Sequence, residues 1–95
     1  MQKVILDESL LTSIIIQSFK NTKDFEIFVN DIIKQVKILN PSINSRSKEF
    51  NIIVSTFYKW NIFNVRNSVK DIANGFACSR ITVYNRINEI TKSSY

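Results

Sequence analysis

Polar side chains near the C-terminus recur at a spacing that would place several of them on one face of a helix. Over residues 80–92, a rotation of about 100° per residue puts Val83, Ile87 and Ile90 on one side. The residues on or beside the opposite side are Ile81, Tyr84, Asn85, Asn88 and Lys92. The candidate base readers are four of these together with the first residue of the helix: Arg80, Ile81, Tyr84, Asn85 and Asn88. Arg and Asn can bind guanine and adenine through paired hydrogen bonds, and an exposed Ile can rest on a thymine methyl group. The pattern favours a helix from residue 80 to about residue 91 that reads DNA bases in the major groove.

A second set of side chains could bind the sugar-phosphate backbone, which fixes register without reading sequence. The candidates are cations and hydroxyls close to this helix: Arg66, Ser68, Lys70, Ser79, Thr82, Arg86 and Lys92. Arg80 and Tyr84 could contact phosphate instead of bases. Trp60 and Tyr58 could stack on bases, although aromatic residues at the end of an amphipathic helix more often belong to a core or an interface.

The basic charge of the chain lies entirely in its C-terminal half. Residues 1–45 hold five basic and five acidic side chains, and the remainder holds eight basic and three acidic ones, which gives the net charge of +5. An excess confined to one part of a molecule is typical of a surface that binds nucleic acid. The alternative is a solvated basic surface that has no partner.

The composition argues against catalysis and cofactors. The chain has no His, one Cys and one Gly, so it offers no zinc ligand set, no internal disulfide and no glycine-rich phosphate loop. The carboxylates are scattered without the close pairing that general acid-base catalysis needs. No apolar run is long enough to span a bilayer, and residues 3–8 do not resemble a secretory signal. We expect a non-enzymatic, cytoplasmic protein that binds neither metal nor membrane.

The elements that would position these side chains are helices, since one Gly and one Pro leave little turn chemistry for a β fold. We predict an all-α domain of four to five helices. The pattern indicates helices over residues 7–20 with Asp7 as N-cap, from Thr22 to the Asn40-Pro41 break, and over residues 48–60 after a Ser47 cap. Residues 2–6 could be a strand or the start of a helix. Residues 41–46 form a polar linker.

The last two predicted helices form a compact motif over residues 68–88. Two short helices that cross steeply need a small residue at their contact, and Ala73 occupies that place. Apolar side chains fall where they would set the crossing angle, at Ile72, Phe76, Cys78, Val83 and Ile87. Residues 61–67 contain three Asn and predict a turn, after which Ser68 and Ser79 are the candidate caps. Cys78 is therefore a small buried residue rather than a redox sensor.

The segments Asp71-Ile72-Ala73 and residues 79–84 resemble the helix-turn-helix superfamily, in particular the tetrahelical forms of sigma factor region 4 and LuxR-type output domains. The resemblance covers about the last half of the chain and implies DNA binding, and no C-terminal wing is expected. One position departs from the pattern, because Ala77 stands where Gly is usual and Gly75 comes two residues earlier. A left-handed Ala costs roughly 1–2 kcal/mol, so we expect a turn of different shape.

The N-terminal helices carry more apolar residues than one face of a small core requires. Within a single domain of residues 1–95, we expect residues 1–40 to form a dimerising part and residues 47–95 the helix-turn-helix part. Such modules commonly bind two half-sites as symmetric dimers. The alternative is that these residues complete the core of a monomer.

Three functions fit the sequence. The first is a sequence-specific transcriptional regulator of phage or plasmid type, dimeric and bound to double-stranded DNA. The second is a plasmid segregation or transfer-origin factor, whose target would contain tandem repeats. The third is a protein-binding module that uses the helix-turn-helix scaffold to contact RNA polymerase, a sigma factor or a toxin, and its affinity for DNA would be nonspecific.

Overall fold

The computed structural model describes residues 6–22 and 24–93. Within those ranges the chain forms five α-helices and no strand, which confirms the all-α prediction. The helices are α1 (Glu8–Asn21), α2 (Phe25–Leu39), α3 (Lys48–Lys59), α4 (Ser68–Gly75) and α5 (Arg80–Ser93), with a 3₁₀ turn at Ile62–Asn64. No helix in these ranges is long and apolar enough to cross a membrane. Of the segment 2–6, only Leu6 is described, and it is buried.

The first two helices meet at a different residue from the one predicted. Asp7 caps α1 as expected, because its carboxylate accepts the backbone N–H of Leu10 at 2.8 Å. The prediction that Thr22 begins α2 is wrong. Thr22 is extended (φ −120°, ψ 123°) and ends α1, with its N–H bonded to the Ser18 carbonyl. The helix α2 begins at Phe25, three residues later than predicted.

The caps of α3 and α4 also depart from expectation. Ser47 precedes α3 as predicted, but its hydroxyl accepts the N–H of Asn44 and makes no bond to the helix. Ser68 does not cap α4. It is the first residue of the helix, and Asn67 precedes it in the left-handed conformation (φ 65°). Asn tolerates this conformation better than most residues, so Asn67 occupies the N-cap position that was predicted for Ser68.

One hydrophobic cluster joins all five helices. The helix α2 packs against α1 and α4, α3 packs against α1 and α5, and α4 packs against α5. At the centre, the rings of Phe50 and Phe76 meet edge to face with centroids 5.8 Å apart. Val83 brings α5 into the same cluster, with Ile87 and Ile90 packed at its edge. The buried side of α5 is therefore the one predicted from its period, and its other side faces outward.

Candidate nucleic-acid interface

The outward face of α5 carries the five side chains predicted to read bases. Arg80, Ile81, Tyr84, Asn85 and Asn88 are all exposed, and the apolar members are unusually so, with Ile81 71% and Tyr84 54% exposed. Among the described residues, none of these polar side chains forms a hydrogen bond or an ion pair with another part of the chain. The face is therefore free to bond to a ligand.

The start of α5 is fixed by the predicted Ser79 cap. The Ser79 hydroxyl accepts the N–H of Thr82 at 3.1 Å and lies 3.0 Å from the Thr82 hydroxyl. This bond satisfies one of the N–H groups that the first turn of a helix leaves unpaired. The cap sets the residue at which α5 begins, and with it the direction in which Arg80 and Ile81 project.

The turn between α4 and α5 has the left-handed residue that the superfamily pattern requires. Ala77 has φ 54°, so the prediction that the turn would be shaped differently is wrong. The Cys78 N–H bonds to the Ala73 carbonyl at 2.9 Å, which is the long-range bond of a Schellman motif. Ala77 therefore adopts the left-handed conformation in spite of its steric cost. Cys78 itself is half-buried against the core.

Gly75 serves packing rather than the turn. It is the last residue of α4, and a Cβ added to it would lie 2.5 Å from Cγ2 of Ile33 on α2. The same contact brings the Lys37 ammonium to the Gly75 carbonyl at 2.6 Å. A cation is favourable at the negative end of a helix dipole. These contacts hold α4, and therefore the turn, against α2.

A groove on one flank of α5 brings together four of the exposed side chains that were predicted to contact DNA. Arg66, Lys70, Arg80 and Tyr84 line a cleft of about 330 Å³ between α5 and residues 63–70. Arg66, Lys70 and Arg80 are exposed. Three cations beside an exposed face of hydrogen-bonding groups make a surface suited to a polyanion.

Two of the predicted phosphate contacts are occupied inside the molecule. Ser68 is only 1% exposed, and its hydroxyl donates to the Phe63 carbonyl, so this hydroxyl cannot reach a phosphate. Arg86 is 30% exposed and bonds to Glu89 and to the Ser45 carbonyl. Ser68 therefore links the start of α4 to the 3₁₀ turn, and Arg86 links α5 to the segment before α3. The other candidates, Ser79, Thr82 and Lys92, lie at the two ends of α5, and Thr82 is half-buried.

Trp60 and Tyr58 lie at the C-terminal end of α3. Both are close to half exposed, so neither is a core residue. Trp60 borders an apolar groove of about 370 Å³ together with Ile16 and Phe19 of α1, over a floor that includes Phe28. The sequence pattern did not reveal this groove, because its walls come from distant parts of the chain.

Comparison with known proteins gives one match. A family model described as HTH domain matches residues 28–88, which is more than half of the chain. The matched segment begins within α2 and ends within α5, and it therefore includes the turn and the outward face of α5. No curated protein and no solved structure matches the chain. The chain therefore belongs to the helix-turn-helix domain family.

Proposed function

We propose that this chain is a sequence-specific DNA-binding protein that places α5 in the major groove. The observation that carries the proposal is the face of α5 from Ile81 to Asn88, which is exposed and unbonded in the described structure. The major groove admits an α-helix and presents a distinct hydrogen-bonding pattern for each base pair. The helix-turn-helix family match points in the same direction.

The side chains on this face divide by chemistry. Asn85 and Asn88 suit adenine, whose major-groove edge offers one donor and one acceptor, and Arg80 suits guanine. Ile81 is the apolar group best placed to contact a thymine methyl. Tyr84 lies between this face and the groove that Arg66 and Lys70 line, so it can contact either a base or a phosphate.

We propose fewer contacts to the DNA phosphate backbone than the sequence predicted. We keep Arg66, Lys70, Ser79, Thr82 and Lys92 as phosphate contacts. Ser68 is left out because its hydroxyl is buried, and Arg86 because it is bonded to Glu89 and to the Ser45 carbonyl. Arg66 and Lys70 carry the electrostatic part, because they sit together in one cleft beside α5. Each such contact releases counterions, so affinity should fall steeply as salt rises.

A second copy of the chain would supply the second half-site, and α1 offers a surface for it. Leu11, Ile14 and Ile15 are buried in the chain's own core, which accounts for part of the apolar excess. Ile16 and Phe19 remain exposed beside the groove that Trp60 borders. A two-fold interface needs a projection and a recess on the same surface, and Phe19, 59% exposed, is such a projection. Because α1 packs against α2 and α3, this interface would leave α5 free.

The biological role that fits best is a small, cytoplasmic, non-enzymatic transcriptional regulator of the phage or plasmid type. Proteins with one short recognition helix gain affinity by pairing two of them on a palindromic operator. Helix-turn-helix domains are typically non-enzymatic, and the face of α5 provides binding groups without a nucleophile or a general base.

Band-shift titrations of Asn85→Ala and Arg80→Ala test the role of α5. Each variant should lose about 1–3 kcal/mol of binding free energy on the preferred sequence and relax specificity at one base pair. Asn51→Ala, at an exposed position on α3, is the matched control and should bind as the wild type does. Wild-type affinity of both α5 variants on every sequence would show that α5 does not read bases.

Sedimentation equilibrium tests the dimer. The wild type should be a dimer at about micromolar concentration, and Phe19→Ser should shift it toward the monomer. Ile38→Ser, which removes an even more exposed apolar residue from α2, is the control and should remain dimeric. A monomeric wild type at that concentration would defeat the dimer and leave the proposed role of α5 intact.

A further inference from the structure

The segment between α2 and α3, residues 40–47, lies against the flank of α5 opposite the cationic groove. The Arg86 guanidinium of α5 bridges the two, since its Nη2 donates to the Ser45 carbonyl at 3.4 Å and its Nη1 to Glu89 at 3.2 Å. Because Arg86 lies near the middle of α5, this bond brings the segment close to the part of the helix that carries Asn85 and Asn88.

The segment is held in place by its own bonds. Asn44 accepts the N–H of Arg46 on its side-chain oxygen at 2.8 Å, and its own N–H donates to the Ser47 hydroxyl at 3.1 Å. Ile43 is buried in the core and anchors the chain one residue earlier. A segment fixed by an apolar anchor and local hydrogen bonds loses little entropy when it meets a ligand.

Two cations project from this segment and the start of α3. Arg46 and Lys48 are both exposed. Neither forms an ion pair in residues 6–22 and 24–93, where the pairs are Lys59 with Glu8 and Arg86 with Glu89. They are also the first two basic residues of the half of the chain that holds the whole positive excess.

The period of α5 puts Tyr84, which lines the cationic groove, and Arg86, which bonds to residue 45, on opposite flanks of the helix. Counted at about 100° per residue from buried Val83, Tyr84 turns toward one flank and Arg86 toward the other. Tyr84 lines the groove with Arg66 and Lys70, and Arg86 bonds to residue 45. A helix in the major groove, which is about 12 Å wide, has a phosphate strand on each side. Because Arg66 and Lys70 both lie on the Tyr84 side of α5, they can contact only one of these two phosphate strands.

We infer that Arg46 and Lys48 bind the phosphate strand on the other side of the major groove, and that Arg86 is a positioning residue that holds their segment against α5. The inference rests on the proposed function, because it takes α5 to lie in the groove. It gives the recognition helix a cationic contact on both flanks. It also explains why Arg86, predicted to bind phosphate itself, is half-buried and bonded internally.

The salt dependence of DNA binding tests the two cations. The probe is a labelled mixed-sequence duplex of about 20 base pairs, long enough for two half-sites. A lost phosphate contact reduces the magnitude of the negative slope of log affinity against log salt by about 0.9. Arg46→Ala and Lys48→Ala should each lower this magnitude, called the slope below, by about 0.9 per bound protomer, or about 1.8 for a dimer. Lys34→Ala removes the same charge from the exposed side of α2 and should leave the slope unchanged.

Arg86→Lys tests the positioning role, because it keeps the charge but cannot make both guanidinium bonds. It should lower the slope in the wild-type background and leave it unchanged when Arg46 and Lys48 are already Ala. A residue that served only stability would leave the slope unchanged in both backgrounds, because the number of phosphate contacts would stay the same. An equal reduction in both backgrounds would mean that Arg86 contacts phosphate itself, and either result would reject the positioning role.

The outcomes separate this inference from the proposed function. If Arg46→Ala and Lys48→Ala match Lys34→Ala while Asn85→Ala relaxes specificity, α5 reads DNA and the second flank is wrong. If the wild type shows no affinity for the duplex, the proposed function itself fails. A lowered slope for both variants, with Lys34→Ala unchanged, establishes the second flank.

Discussion

The backbone N–H of Cys78 bonds to the carbonyl of Ala73 at 2.9 Å, and the residue between them that makes this possible is a left-handed Ala77. The bond closes the end of α4 and fixes the angle at which α5 leaves it. Strain at this position therefore bears directly on the placement of the outward face of α5.

Replacing Ala77 with Gly should raise the stability of the protein. A left-handed L-residue costs roughly 1–2 kcal/mol, and the greater freedom of Gly in the unfolded chain offsets part of the gain. The expected net increase in the free energy of unfolding is about 1 kcal/mol, measured by urea denaturation. Asn74→Gly, inside α4, is the control and should lower stability, because Gly is unfavourable in a helix. A less stable Ala77→Gly variant would mean that Ala77 is not left-handed.

Replacing Gly75 with Ala should have the opposite effect, although Ala is the better helix former. The new Cβ would lie 2.5 Å from Cγ2 of Ile33, a methyl group on the branched Cβ of a side chain with little rotational freedom. Overpacking of this kind costs about 1–3 kcal/mol, which exceeds the gain in helix propensity. Thermal or urea unfolding should show the loss. In an Ile33→Ala background the same change should be neutral or favourable, and an equal loss in both backgrounds would exclude the clash as its cause.

The Cys78 thiol should be less reactive in the native protein than in the unfolded chain. Burial raises the pKa of this thiol above its ordinary value of 9.0, and the thiolate is the reactive form. Labelling with an aromatic disulfide near pH 9.0 should therefore be slower for the native protein than for the protein in urea.

The same shift predicts a loss of stability in alkali. The folded protein holds the thiol proton to higher pH than the unfolded chain does, so this contribution is fully present below pH 9.0 and is lost as the pH rises through the folded pKa. Cys78→Ala should remove that part of the decline. A native labelling midpoint at or below the midpoint in urea would contradict both expectations.

The local features of the fold could be read from the sequence. The Asp7 and Ser79 caps and the buried side of α5 were predicted correctly, because each depends on residues within a few positions along the chain. The left-handed position at Ala77 was identified for the same reason, although the sequence alone suggested that the turn would avoid it. The starts of α2 and α4 were predicted at the wrong residues. Thr22 and Ser68 are residue types that often cap helices, but Thr22 ends α1 and the Ser68 hydroxyl bonds to the Phe63 carbonyl.

The features that depend on distant residues could not be read from the sequence. The sequence showed only that Gly75 comes two residues before the usual turn position. The structure explains the glycine by the close approach of Ile33, which belongs to another helix. Arg86 was predicted to contact phosphate, and helical periodicity could not reveal that it also donates a hydrogen bond to the Ser45 carbonyl, which lies in another part of the chain. The same contact places residues 40–47 beside α5. The proposed phosphate contacts of Arg46 and Lys48 could therefore not be predicted from the helical period of α5.

Selection of bound fragments from random duplex DNA, with the wild type and Asn85→Ala at two salt concentrations, tests the central claim most directly. The wild type should select a sharp motif with dyad symmetry and half-sites about one helical turn apart. Asn85→Ala should select the same motif with one position in each half-site relaxed. Binding that yields no motif and disappears as salt rises would show that α5 does not read sequence.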